Sequence, residues 1–133
     1  MITINFWAVL VAAIVSMVLG MLWFSPTVFG KIWAKEAGKD IEEMTGGSPG
    51  SYLAAFVGAI VVAYILAVFE GYASVVTTTE GLTVAFYAWL GFVVATSLTQ
   101  IIWEGRSKKL YAINNGYQLI SLLVMGVILA VWR

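Results

Sequence analysis

Four apolar stretches, each about the length of helix needed to cross a bilayer, fill almost the whole of this 133-residue chain. They run over about 3–24, 51–69, 82–103 and 111–132, and none carries a charge inside its limits. Backbone N–H and C=O groups in hydrocarbon find no water, so a spanning segment must satisfy them itself, which a helix does. The pattern predicts an all-α integral membrane protein. It forms one domain over residues 1–133, a bundle of four transmembrane helices.

Composition then removes whole classes of chemistry. Hydrophobic residues make up 62% of the chain and the mean hydropathy is +0.96, against about 45–50% apolar residues in soluble domains. Seven basic residues balance seven acidic ones, and no face concentrates Lys and Arg as a nucleic-acid partner requires. There is no Cys and no His, so disulfides, thiol nucleophiles, structural zinc and a histidine general base all fall away. No cofactor is implied. The first apolar run is too long for a signal peptide, lacks a basic leader, and shows no small-x-small cleavage site before Ser25-Pro26. It is therefore expected to remain as helix one.

Charge sets the expected topology. Lys31, Lys35 and Lys39 separate helices one and two, and Arg106, Lys108 and Lys109 separate helices three and four. The opposite side holds only Arg133, with Glu70 and Glu80 in the connecting loop. The positive-inside rule then places the basic loops, 25–50 and 104–110, in the cytoplasm and both termini outside, in a bacterial inner membrane. Trp23, Trp33, Tyr52, Trp103 and Tyr111 fall at the inner boundary and Trp7, Tyr72 and Trp132 at the outer one, as amphipathic rings prefer. Trp89 sits deeper, between helices.

Ser25 and Pro26 read as the cap and first residue of a short interfacial amphipathic helix over about 26–38. Phe29, Ile32 and Trp33 share one face, and Gly38 is its stop. A Gly-rich connector, Asp40 to Gly50, leads to helix two. Helix one carries Ala8, Ala12, Ser16 and Gly20 in a stripe, and helix two carries Ala55, Ala59, Ala63 and Ala67, with Gly58 beside them. Such stripes let backbones approach closely, either within one chain or across a homodimer seam.

The polar residues gather near the inner ends of helices three and four. Thr96, Gln100 and Glu104 recur every fourth position on one face of helix three, and Asn114, Gln118 and Ser121 share a face of helix four. Asn115 and Tyr117 flank the second set, and Arg106 stands in the loop between them. A tight turn makes the two helices antiparallel neighbours. Thr96, Gln100, Glu104, Arg106, Asn114, Tyr117 and Gln118 are thus the candidate ligand-binding residues, with an interhelical hydrogen-bond clamp as the structural alternative.

Several segments resemble a known family. Leu22-Trp-Phe-Ser-Pro-Thr-Val-Phe-Gly-Lys-Ile-Trp33 is similar to the LWYSP-x-x-FG-x-x-W signature of domain-of-unknown-function family 1761. Trp89-Leu-Gly-Phe92, Glu104-Gly-Arg106, Ile113-Asn-Asn-Gly-Tyr117 and Met125-Gly-x-Ile-Leu129 resemble its second half; Phe24 stands where the pattern more often has Tyr. The resemblance implies a bacterial four-helix integral membrane protein, and no activity. Three functions stay open. The first is a homo-oligomer, most simply a dimer, that binds or passes a small or amphipathic molecule amid membrane lipids. The second is an accessory or scaffold subunit of a larger membrane complex. The third is a cofactor-free enzyme using Glu104 with Tyr117 or Arg106.

Overall fold

Three of the long helices in this chain begin where a side chain holds their first free N–H groups. The computed structural model describes residues 2–38, 49–105 and 107–132. Lys39, the connector from Asp40 to Ser48, Arg106 and Arg133 lie outside the described residues. Helix α1 spans Phe6–Trp23, and the Asn5 side chain accepts from Trp7 N at 3.0 Å and Ala8 N at 3.2 Å. Helix α3 covers Pro49–Tyr72. Helix α4 runs Thr78–Ile102. Its cap, Thr77, accepts from Glu80 N at 3.2 Å and donates its hydroxyl to Glu80 Oε1 at 2.9 Å, a variant of the capping box. Helix α5 covers Lys108–Val131 behind Ser107, whose Oγ accepts from Leu110 N at 3.3 Å.

These caps move the boundaries that hydropathy alone suggests. Helices α4 and α5 start at Thr78 and Lys108 rather than near 82 and 111, so Lys108 and Lys109 belong to a helical first turn. Helix α3 continues past Phe69 to Tyr72 and takes Glu70 into the bundle, where it is fully buried rather than in a loop.

Helix α2, Gly30–Ala37, begins later than position 26. Ser25 does not cap it. Its hydroxyl turns back to Leu22 O at 2.8 Å, satisfying a carbonyl left open at the end of α1. The Ser25 carbonyl accepts both Val28 N at 3.1 Å and Gly30 N at 2.8 Å, which closes a tight reversal. A Cβ at Gly30 would strike the Phe24 carbonyl oxygen, so only glycine fits there. The expected stop holds: Gly38 takes a left-handed φ of 71° at the end of α2.

The four long helices alternate in direction, and α5 is the hub that packs against α1, α3 and α4. One end of the bundle carries the chain termini and the α3–α4 turn; the other carries the lysine-bearing segments. Near the terminal end the fit is tight. Ala8, Ala12, Ala63, Ala67, Ala85, Met125 and Leu129 form the core with Val9, Leu66 and Leu122. Gly81 and Gly126 press backbone on backbone, since a Cβ on either would come within 2.6–2.8 Å of the other's carbonyl oxygen. Toward the basic end α4 loses this contact, and beyond Ala85 it buries no residue.

A π-helical turn, Trp89–Val94, interrupts α4 at this transition. Such a turn displaces the regular carbonyl pairing. Hydroxyls meet the displaced carbonyls: Tyr111 donates to Val94 O at 2.9 Å, Ser97 to Val93 O at 2.6 Å and Thr96 to Phe92 O at 2.6 Å. Four apolar helices long enough to cross a bilayer, with large apolar side chains such as Leu53, Val57, Val61, Phe92 and Leu98 facing outward, describe a multi-pass membrane protein.

Candidate functional site

The polar side chains of α5 reach in three directions. Toward α1, Tyr117 donates to Ser16 O at 2.9 Å, and Ser16 Oγ lies 3.2 Å from the Tyr117 oxygen and 2.7 Å from Ser121 Oγ. One proton ordering uses every donor: Ser121 to Ser16 Oγ, Ser16 to Tyr117, Tyr117 to the Ser16 carbonyl. Gly20 makes room for the phenol, because a Cβ there would lie 3.1 Å from its oxygen. Lower on the same seam, Trp23 Nε1 donates to Ile113 O at 3.0 Å, and its ring lies over Gly116, whose Cβ would meet it at 3.0 Å.

Toward α2, Trp33 Nε1 donates to Asn114 Oδ1 at 2.9 Å. Toward α4, Trp89 Nε1 donates to Asn115 O at 2.8 Å and Ser97 Oγ approaches Asn115 Oδ1 at 3.4 Å. Phe24 stacks edge-on against Tyr117, with centroids 5.4 Å apart, and meets Trp33 at 6.0 Å. The segment Trp23–Trp33 and the segment Ile113–Tyr117, remote in the chain, therefore form one aromatic and hydrogen-bonded joint. Trp23 and Tyr111 thus serve as interhelical donors, whereas Trp7, Tyr72 and Trp103 stand exposed at the two ends.

Of the residues expected at the site, the fold brings two together. Gln100 and Asn114 line one cleft between α4 and α5 with Ser97, Tyr111 and Asn115, and it holds about 50 Å³. That is room for one or two waters, not for an organic ligand. Thr96 is exposed and bonded back to its own helix. Glu104 is exposed in the turn after α4, and Gln118 is exposed on α5. Tyr117 faces α1 instead of α4. Arg106 lies outside the described residues.

A larger space opens elsewhere. At the basic end α1 and α3 diverge, leaving a groove of about 430 Å³. Met17, Met21 and Ala55 line it together with Tyr117, Ser25 and Tyr52. A second groove of about 360 Å³ separates α2 from α5.

Three buried polar residues escaped the sequence reading as interior groups. Ser16 was assigned to a packing stripe, yet its hydroxyl is the centre of the α1–α5 knot. Asn115, not Asn114, is the asparagine turned inward, at 7% exposure. Glu70 is a carboxylate fully buried near the terminal end. Its signal was available: extending the second apolar run by one helical turn would have placed a charge inside a span, where charges are rare and meaningful.

The donors and acceptors at these seams are hydroxyls, amides, indoles and backbone carbonyls, a neutral set suited to hydrogen bonding. Among the described residues no three His, Cys, Asp or Glu side chains gather as a metal site would require. No curated protein and no solved structure matches the chain. Over residues 7–130, including both segments that meet at the aromatic joint, the chain matches the family described as "Protein of unknown function (DUF1761)", and it belongs to that family.

Proposed function

We propose that this membrane protein binds one amphipathic molecule in the groove between α1 and α3 at its basic end. The observation that carries the reading is the groove's size and lining: about 430 Å³, mostly apolar, with Ser25, Tyr52 and Tyr117 among the residues around it. Ligand sites commonly enclose about 300–1,000 Å³ with a few polar groups to orient the guest. The α4–α5 cleft is several times too small for that and reads better as a hydrated clamp, with Gln100 and Asn114 on its walls. Met17 and Met21 supply adaptable thioether contacts, and Ser25 and Tyr52 hold the guest's polar end near the membrane surface.

The test uses the full chain in nanodiscs with a diazirine-bearing long-chain fatty acid as probe. Crosslinks are expected to concentrate on Met17, Met21 and Tyr52, and to disappear in Ala55→Trp, which fills the groove from an exposed position. Crosslinks spread evenly over lipid-facing positions of α4, unchanged by that substitution, sink the reading.

A dimer is the second reading, favoured by α3. Gly58 has nothing within 4 Å of where a Cβ would stand, and Ala55 on the same side is exposed, so this half of the small-residue face is left open among the described residues. A second copy, or a larger membrane partner, finds there the close approach that small residues allow. Native mass spectrometry with Gly58→Leu tests it: a wild-type dimer that survives the substitution speaks against this face.

A further inference from the structure

We infer that the groove between α2 and α5 is a site for one anionic phospholipid. It shares no lining residue with the α1–α3 groove, so it stands or falls separately from the reading above. Lys35 of α2 and Lys109 of α5 flank it, one cation from each wall. Phe29 and Ile32 line it on one side, Ala112 and Ile113 on the other. Ile32 is 45% exposed and Ala112 is exposed too, so this apolar surface is open to an incoming chain.

The lining holds one acidic residue, Glu36, against the two lysines, so its formal charge stays positive. Glu36 Oε2 accepts the Ser107 hydroxyl at 2.6 Å. Ser107 also caps α5, so this bond ties α2 to the first turn of α5 and keeps Lys35 and Lys109 across the same space. A lysine stem lies along apolar surface while its ammonium stays at the water boundary, which is where a lipid phosphate sits.

The volume decides between a lipid and a free anion. A phosphate ion occupies only a fraction of about 360 Å³ and leaves Ile32 and Ala112 uncovered. A phospholipid matches both parts, phosphate between the ammonium groups and acyl chain along Ile32, Ala112 and Ile113.

The experiment is native mass spectrometry of the delipidated full chain offered phosphatidylglycerol or phosphatidylcholine in detergent. One phosphatidylglycerol per chain is expected to remain bound at collision energies that strip phosphatidylcholine. Lys35→Gln with Lys109→Gln should weaken retention about 30-fold, at about 1 kcal/mol per lysine. Both positions are exposed, so the fold is expected to survive, checked by helical circular dichroism. Ala112→Trp, which blocks the apolar floor without changing charge, should also abolish retention. Equal retention of the two lipids, or retention unchanged by the double lysine substitution, overturns the site. Retention unchanged in Ala112→Trp, or displacement by inorganic phosphate at equal concentration, shows a simple anion site and overturns the lipid assignment.

Discussion

The two halves of this bundle are built from the same kinds of residue and packed in opposite ways. Near the chain termini, alanines and glycines are consumed in helix contacts: Ala8, Ala12, Ala63, Ala67, Gly81, Ala85, Gly126 and Ala130 are all buried. At the basic end several residues of the same types stand open on the long helices. The space beside Gly20, Gly30 and Gly116 there is filled by aromatic rings or the turn backbone, but a Cβ at Gly58 or Gly91 would meet nothing within 4 Å, and Ala55 and Ala112 are exposed. Inside lipid there is no hydrophobic drive between helices, so close backbone approach is the main source of adhesion. The half that achieves it is the anchor. The other half is held by side-chain hydrogen bonds and aromatic contacts, and the grooves lie there. Rigidity and vacancy are thus assigned to opposite ends of one set of helices.

The sharpest way to break this comparison is to add the same side chain to a glycine in each half. Gly126→Leu forces a Cβ to within 2.8 Å of Gly81 O and 2.9 Å of Ala85 Cβ, contacts that can be relieved only by moving α4 off α5. Overpacking of this kind costs about 3 kcal/mol or more, read as an earlier midpoint in unfolding by sodium dodecyl sulfate. Gly58→Leu in the loose half should shift the same midpoint by less than about 0.5 kcal/mol. Equal costs would erase the distinction between the halves.

A smaller effect is expected at the basic end from Ser107→Ala. It removes the α5 cap and the bond to Glu36 together, for about 1–2 kcal/mol. Amide exchange should accelerate in Gly30–Ala37 more than in α1, because α2 loses one of its ties to α5 and keeps only that of Trp33 to Asn114 among those described. Uniform acceleration would show that Ser107 acts only through global stability. Tyr117→Phe is expected to cost about 1 kcal/mol or less, the usual worth of an interhelical hydrogen bond in a membrane. It leaves Ser16 bonded to Ser121, so far-ultraviolet circular dichroism should not change. Gln118→Leu, at an exposed position of α5, should leave the unfolding midpoint within about 0.5 kcal/mol of the wild type.

Much of this fold is legible along the chain. Hydropathy finds all four spans, and Gly38 marks the end of α2. The caps were legible too: Thr77 with Glu80, and Ser107 before Leu110, are ordinary starting signals that a reading guided by hydropathy passed over. The polar cluster was legible as a list and not as an arrangement. Asn114 and Asn115 differ by 100° around a helix, and which of them faces inward depends on how α5 is rotated against three neighbours. That rotation is set between helices, by packing on α1, α3 and α4 together, with the close approach of Gly81 and Gly126 as one of its contacts.

The sequence by itself determined what each segment must be, because a run of about 20 apolar residues has one stable form in hydrocarbon, whatever its neighbours are. It also determined the absence of cysteine and histidine chemistry, which no folding can supply. Tertiary structure alone decided which faces meet. It drew Glu70 into the interior, put the π-helical turn where α4 leaves α5, and opened the two large grooves at the basic end. The physical reason is that helices in lipid gain little from burial as such. Their relative placement rests on a few close contacts and hydrogen bonds, and these are set by geometry between segments that sequence periodicity does not encode.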